Sequence, residues 1–452
     1  MLKIKETVNN FLKSHGMDPE SVDLESNSGV FAEEMQRGLV SSKSSLMMIP
    51  TYISMEKELP INETVIVIDA GGTNFRVAAV HFDENKKPVV EDFKVYPMPG
   101  TQGEVSGEVF FDTMAGYLEP VLDRSSKISF CFSYPAEILP TKDGRLTKFS
   151  KEVKAREVEG QLIGENLLKA VKKRGHTEEK SIILLNDTVA TLLAGKASAP
   201  DRVFGSYLGF ILGTGTNTCY IEKCSNIEKV PSLMKSEGSM LINVESGNYG
   251  RAPRGEIDIE FDNGTANPGY FSFEKAISGA YQGGLILAVV RKAAGEGLFS
   301  AEFTAALSKV RDLSSKEIDD FLFYPYADNT LAACCRAGSQ GDTSGESGSL
   351  QDKSEEDRLT LYYLIDAVIE RAARFVTFNL TSCIIKTGKG ANPCAPVCIT
   401  ADGSTFYKSK LFRSKLDYYI KTFTNDKKHI YCEFVKVDNG TLIGTAIAGL
   451  LN

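Results

Sequence analysis

The sequence predicts an α/β protein folded as two lobes about a central cleft, and three observations predict it. The chain has 452 residues, well beyond the ~250 at which a single hydrophobic core tends to split. Short β-branched runs alternate with stretches of helical period. A unit made of an apolar run, a glycine-rich turn and a second strand occurs twice, at 64–80 and at 206–222.

The elements follow in order. The first fifty or so residues carry apolar positions such as Met35 and Leu39 at helical spacing, with Pro50 closing the run. TVIVID at 64–69 and FRVAAV at 75–80 read as strands joined by a tight turn at Gly71 and Gly72. Further strands are expected at 93–97, 128–132 and 181–185, with helices over 161–174 and 188–194. YLGFIL, GTGTN and TCYIE repeat the strand, turn and strand theme, and sliding the first unit onto the second places Thr73-Asn74 on Thr216-Asn217. Leu212 then falls where Asp69 stands, so the two hairpins should have different jobs. Residues 338–356 are polar and Gly/Ser-rich and read as a surface loop. A helix is expected over 357–380, a strand and turn around Asp402-Gly403, and a small-residue helix at the end.

Composition limits the function classes. With 42% hydrophobic and 24% charged residues the chain is neither disordered nor collagen-like nor a coiled coil. Apolar stretches such as Leu285 to Val290 are far shorter than the ~20 residues a membrane helix needs. The N-terminus spreads Lys3, Lys5 and Glu6 along a helical pattern, so no secretory leader and a cytoplasmic location are expected. Nine cysteines without such a leader read as reduced thiols. The histidines (His15, His81, His176, His429) are scattered and build no zinc spacing with Cys334-Cys335 or with Cys394 and Cys398. The net charge of -8 opposes nonspecific binding to nucleic acid or anionic membranes. An anionic substrate would have to be held by local donors.

Two segments carry chemistry. The Asp69 to Arg76 hairpin is not a Walker loop, because no GxxxxGK[ST] occurs and a strand, not a helix, follows the glycines. Gly71 and Gly72 would let backbone N–H groups approach phosphate oxygens, with Asp69 near a metal and Arg76 offering charge; an ordinary β-turn is the alternative. Asn186-Asp187-Thr188 lies where a strand meets a helix, so Asp187 reads either as an N-cap or as a general base at a strand end. With no histidine near either motif, a carboxylate is the available base.

In their order these segments resemble the hexokinase family, whose fold is the two-lobed actin-like ATPase fold with duplicated ribonuclease-H-like domains. FAEEMQRGL with SSLMMIPTY resembles that family's N-terminal segment, IDAGGTNFRV its first phosphate loop, FSYP its FSFP and FSKEVKA its WTKGFKA. NDTVATLL is similar to the segment bearing the catalytic aspartate and LGTGTNTCYIE to the second phosphate loop. INVESGNYG and NPGYFSFEKAISGAY are similar to the sugar segments INxEWGxFG and NPGQQxxEKMxSGxY. The resemblance implies ATP-dependent phosphorylation of a hexose, most readily glucose, with magnesium. A hexose-binding sensor without turnover and an actin-like ATPase are the alternatives.

Carried over position by position, Ser133, Ser150, Lys151, Asn186, Asp187, Asn217, Glu245 and Glu274 would bind the sugar, with Asp187 and Lys151 catalytic. Asp69, Gly71, Gly72, Thr73, Asn74, Arg76, Gly213, Thr214, Gly215, Thr216, Asp402 and Gly403 would hold the nucleotide, Asp69 reaching magnesium through water. Without the resemblance, Lys151, Glu245 and Glu274 could equally be solvated surface charges. The implied division is 1–59 as a helical part of the large lobe, 60–198 as the small lobe, 199–437 as the large lobe and 438–452 as a helix returning to the small one. The sequence departs from the family pattern. Phe149 and Ser246 replace tryptophans, Tyr270 replaces a glutamine, Ser150 a threonine and Glu152 a glycine, and the ITADGSTFYK segment has one extra residue between Gly403 and Tyr407.

Overall fold

A computed structural model describes the backbone of residues 1–149, 153–198, 201–337 and 347–452, and the side chains of all of these except 347–352. Two mixed sheets organise them. In the first the strand order is Pro88–Pro97, Asn74–Phe82, Val65–Gly71, Lys127–Phe132 and Ser181–Leu185. In the second it is Ser239–Asn243, Thr216–Lys223, Ser206–Leu212, Val397–Asp402 and Cys432–Val435, with the short strand Ile49–Pro50 added beside Ser239–Asn243. Each sheet runs as an antiparallel meander of three strands and then two parallel ones. The internal duplication expected from the two glycine turns is therefore present in the topology.

The turns differ in length. Gly71 pairs with Asn74 in the first hairpin, whereas the partner of Asn217 in the second is Ile211. Ungapped sliding is thus right only for the strand after the turn. Counting back from the paired residues, Gly209 and not Leu212 stands where Asp69 stands, and the carboxylate still has no counterpart.

Period-two alternation sorts the first sheet. Ile66, Ile68 and Ala70 enter a core under the helices Gly107–Leu118 and Ile163–Lys173. Val65 and Val67 face the opposite way, toward the C-terminal helix Gly440–Leu451, and Asp69 continues that row at the strand end. Two helices lie between the sheets, Asp187–Ala197 and Gly440–Leu451. Both are buried almost all round, as a helix without a solvent face must be. They touch backbone to backbone: a methyl built on Gly444 would lie 1.7 Å from the Ala190 carbonyl oxygen. On the other side a methyl on Gly209 would lie 2.3 Å from the Thr188 carbonyl. The N-terminal helices Leu2–Ser14 and Leu24–Val40 join the core of the second sheet, together with Gly279–Gly295 and the long helix Ser347–Thr387.

That long helix corrects the part of the expected 338–356 loop that runs from 347 to 356. It begins at Ser347, and within it Ser354 donates to the Cys335 carbonyl (2.8 Å) while Asp357 accepts from the Ser300 amide and hydroxyl (2.9 and 2.6 Å). Residues 338–346 lie outside the described ones. Pro50, expected to end a helical run, sits in the strand that pairs with Ile242.

Gly444→Ala tests the helix packing. Because the added methyl meets main chain, which cannot rotate away, the variant should lose about 2–3 kcal/mol, read as a lowered thermal midpoint. An unchanged midpoint would mean that the two helices do not approach this closely in solution.

Candidate active site

Both hairpin turns lie at the same end of their sheets and are pinned by side chains from elsewhere. In the first, the Tyr134 hydroxyl donates to the Gly72 carbonyl (2.8 Å), and Gly72 has φ of +69°, which an L side chain resists. Asp69 is buried and accepts a hydrogen bond from Arg76 Nη1 at 2.7 Å. Burial pushes its carboxyl above the ordinary range, Arg76 opposes this, and the charge of Asp402 adds to it. Asp402 ends a strand of the second sheet, so the two sheets present carboxylates to the same space.

The second turn, Gly213 to Thr216, is tied down at more points. The Gly213 carbonyl accepts from the Gly279 amide (2.8 Å) and the Thr405 hydroxyl (3.0 Å), and the Thr214 carbonyl accepts from the Ala280 amide (3.1 Å). Gly403, with φ of +114°, packs against Leu212, where a methyl would lie 2.2 Å from the carbonyl oxygen. Thr214 stays exposed, while the Thr216 amide donates to Glu274 Oε2 at 2.9 Å. Thr73 is exposed at the first turn, and Ser133 lies against the Gly71 α-carbon.

Beside the second turn lies a polar network. Asn217 Nδ2 donates to Asn243 Oδ1 (2.8 Å) and Asn243 Nδ2 donates to Glu245 Oε1 (2.8 Å). Asn217 Oδ1 accepts from the Thr218 and Ser246 amides (2.7 and 3.3 Å). Glu245 adopts left-handed backbone angles, φ 57° and ψ 48°, unusual for a residue with a side chain. Its carboxyl is raised to about 7, by burial first and by the charges of Asp187 and Glu274 after it, against the hydrogen bond from Asn243. Glu274 is itself raised by burial, opposed by the Thr216 amide and Lys275. Two of the three carboxylates predicted to bind sugar, Asp187 and Glu274, therefore act on the third, Glu245.

Asp187 is the first residue of its helix, and the cap is its neighbour: Asn186 Oδ1 accepts from the Thr188 amide at 2.9 Å. The capping alternative for Asp187 is thus overturned, and its carboxylate accepts from the Thr188 hydroxyl at 3.2 Å. Asp187 and Asp69 both act on Cys131, a fully buried thiol on the strand between Val65–Gly71, which carries Asp69, and Ser181–Leu185, which leads into Asp187. Ser150 and Lys151, predicted for the sugar and for catalysis, lie outside the described residues, as does Glu152.

Two departures from the family pattern are core positions. Phe149 packs on Phe110 and Tyr134, with ring centroids 5.6 and 5.2 Å away. Ser246 is fully buried, its hydroxyl 3.1 Å from that of Thr218, which also accepts from Asn379 (2.8 Å). Tyr270, by contrast, is 68% exposed. Sequence reasoning missed Asn243, Tyr134 and Thr405. The one available signal was Asn243, two positions before Glu245 in INVESG.

Glu245 makes a pH test. Its carboxyl holds a proton more readily in the folded chain, near 7, than at the ordinary 4.5. The associated stability is complete below the ordinary value and is lost as pH rises through 7. Thermal midpoints of the sugar-free protein should fall relative to Glu245→Gln between pH 5 and 8. Parallel curves would show that burial and the neighbouring charges do not raise the Glu245 carboxyl.

Comparisons with known proteins place this arrangement. One hexokinase family model matches residues 7–197 and a second matches 207–451. Hexokinase-2 of Equus caballus is 28% identical over 444 residues, covering 92% of this chain and 46% of the relative. Hexokinase-1 of Pongo abelii is 33% identical over 293 residues, covering 61% of this chain and 31% of the relative. The chain thus spans about half the length of the curated relatives it matches. Among solved structures, the hexokinase of Schistosoma mansoni complexed with glucose aligns over 99% of both chains with a TM-score of 0.73 at 24% identity. Another hexokinase crystal structure covers 98% of this chain and 100% of its own, with a TM-score of 0.71 and 21% identity. These likenesses show the actin-like sugar kinase fold, and with the two family matches covering both halves of the sequence, the chain belongs to the hexokinase family.

Proposed function

We propose that the chain transfers the terminal phosphoryl group of Mg-ATP to the 6-hydroxyl of a hexose, glucose foremost, giving hexose 6-phosphate and ADP as the first step of glycolysis. The observation that carries this reading is the convergence of Asp187, Glu245 and Glu274, with Asn217 and Asn243 beside them, next to two glycine turns from different sheets. Carboxylates and amides suit a polyol, because each hydroxyl offers a donor and an acceptor. The glucose in the Schistosoma mansoni relative supports the choice of sugar.

The nucleotide fits the opposite side. Asp69 and Asp402 bring negative charge together beside turns whose backbone can meet phosphate, an arrangement that a divalent cation would relieve. In this reading Asp69 holds magnesium through water, with Gly71, Gly72, Thr73, Asn74, Arg76, Gly213, Thr214, Gly215, Thr216, Asp402 and Gly403 around the nucleotide. Magnesium, when bound, offsets charge on the phosphates. Asp187 accepts the proton of the 6-hydroxyl, Glu245, Glu274, Asn217, Asn186 and Ser133 orient the ring, and Arg76 with the turn amides neutralises charge on the transferring group. Ser150 and Lys151 belong to this reading by resemblance alone.

The same reading takes 60–198 as the small lobe and 199–437 as the large one, 1–59 contributing helices to the large lobe and 438–452 returning to the small. We also place the protein in the cytoplasm; among the described residues no helix is long and apolar enough to cross a membrane.

A coupled assay of ADP release with and without glucose separates the alternatives. Glucose-dependent release supports the kinase, binding without release supports a sensor, and release without glucose supports an ATPase. Asp187→Asn isolates the base. Asparagine cannot take the proton, and the helix keeps its Asn186 cap, so turnover should fall about 100-fold to 10,000-fold with the thermal midpoint nearly unchanged. Near-normal phosphorylation by the folded variant would refute the assignment.

A further inference from the structure

The segment that carries Glu245 leaves its strand after Asn243 and turns, and both ends of the turn are held from outside. On the near side the Val244 amide donates to the Thr218 carbonyl (3.0 Å), and the Val244 carbonyl accepts from the Met48 amide (3.3 Å). On the far side the Tyr249 carbonyl accepts from the Ser272 hydroxyl (3.0 Å), and the Gly250 amide donates to the Ser45 hydroxyl (3.1 Å). A left-handed Glu245, opposed by the charges of Asp187 and Glu274, stays in place only while its surroundings over-determine it.

The anchor at Gly250 comes from the N-terminal segments FAEEMQRGL and SSLMMIPTY. Phe31, Glu34 and Gly38 recur at helical spacing in Leu24–Val40 and share one face of that helix. Phe31 packs on Tyr249, their ring centroids 4.6 Å apart. Gly38 lets the helix meet the loop after it at main chain, since a methyl there would lie 2.5 Å from the Leu46 carbonyl oxygen. Between these contacts the buried Glu34 reaches the same loop. Its Oε1 accepts from the Ser45 amide (2.9 Å), the Ser45 hydroxyl (3.2 Å) and the Ser44 hydroxyl (3.0 Å). Its Oε2 lies 3.2 Å from Arg37 Nη1 and 3.7 Å from Nη1 of Arg251, the residue after Gly250. Burial works against its charge, but the Ser45 amide, the Ser44 hydroxyl and Arg37 hold the carboxyl below the ordinary range. An ionised carboxylate can only accept, so the Ser45 proton points to Glu34 and the oxygen's lone pairs are left for Gly250.

We propose that Glu34 is a positioning residue for hexose binding: through the Ser45 hydroxyl it fixes Gly250, and with it the 245–250 turn that presents Glu245. This rests on the hexose-binding reading of the cleft. Breaking the relay leaves Asp187 and the glycine turns as they are, so it weakens sugar binding and spares turnover.

Calorimetry with glucose in the absence of nucleotide, and steady-state kinetics, on the full chain test this in the parent, Ser45→Ala, Ser45→Thr, Glu34→Gln and the double variant of Ser45→Ala with Glu34→Gln. Ser45→Ala should weaken glucose binding about tenfold. The glucose KM should rise in step, with kcat and the nucleotide KM within about twofold of the parent. Ser45→Thr, which keeps the hydroxyl, should bind glucose as the parent does. Glu34→Gln should act in the same direction as Ser45→Ala, and the double variant should bind glucose no more weakly than Glu34→Gln alone, because both changes break one relay. If Glu34→Gln does not fold, the two Ser45 variants decide alone. Unchanged glucose affinity in Ser45→Ala, equal losses in Ser45→Ala and Ser45→Thr, additive losses in the double variant, or glucose and nucleotide constants rising together would each overturn the proposal. A parent that binds no glucose would overturn the proposed function itself, and this proposal with it.

Discussion

Everything in the cleft hangs on the helix Asp187–Ala197 being clamped between two sheets by backbone contact. Gly444 lets the C-terminal helix reach the Ala190 carbonyl, and Gly209 lets the second sheet reach Thr188 and Leu192 from the other side. Contacts between main chains leave no side chain to rotate out of the way, so the helix has one seat. Asp187 opens that helix and Asn186 caps it, and the aspartate is thereby presented at the strand ends of the first sheet. The same clamp brings the two sheets close enough for Asp402 to act on Asp69 and for Asp187 to act on Glu245.

That closeness has an electrostatic cost. Glu245 is held near 7 because burial and two neighbouring carboxylates all disfavour its charge, while Asn243 offers only a neutral donor. Under the proposed function, hydroxyl groups of a polyol would supply donors to these oxygens and relieve that cost. The left-handed backbone at Glu245 fits this picture, since strain retained at one residue marks a place where position outweighs local comfort. Binding that draws both sheets together also suits a phosphoryl transfer for which water is a rival acceptor.

Much of the fold was legible because its strands are short β-branched runs and its turns are rich in glycine, signals that survive in any context. TVIVID and SIILL became the strands expected of them. What escaped had specific causes. Both asparagine and aspartate cap helices, and only side-chain geometry gives the cap to Asn186. An ungapped slide cannot see that the second turn is longer, which misplaced the counterpart of Asp69. The polar stretch before 357 reads as a loop by composition, yet Ser354 and Asp357 are buried by partners far away in the chain, at Cys335 and Ser300. At the site, Asp187, Glu245 and Glu274 are ordinary carboxylates one by one. Their order with the neighbouring motifs distinguishes them, whereas Asn243 is marked only by its place two positions before Glu245 and not by its residue type.

If residues from both sheets bind one hexose between them, sugar alone should draw the lobes together. Small-angle X-ray scattering of the protein without nucleotide, with and without saturating glucose, measures this directly. A smaller radius of gyration is expected in glucose. An unchanged scattering profile, under conditions where calorimetry shows glucose bound, would contradict it.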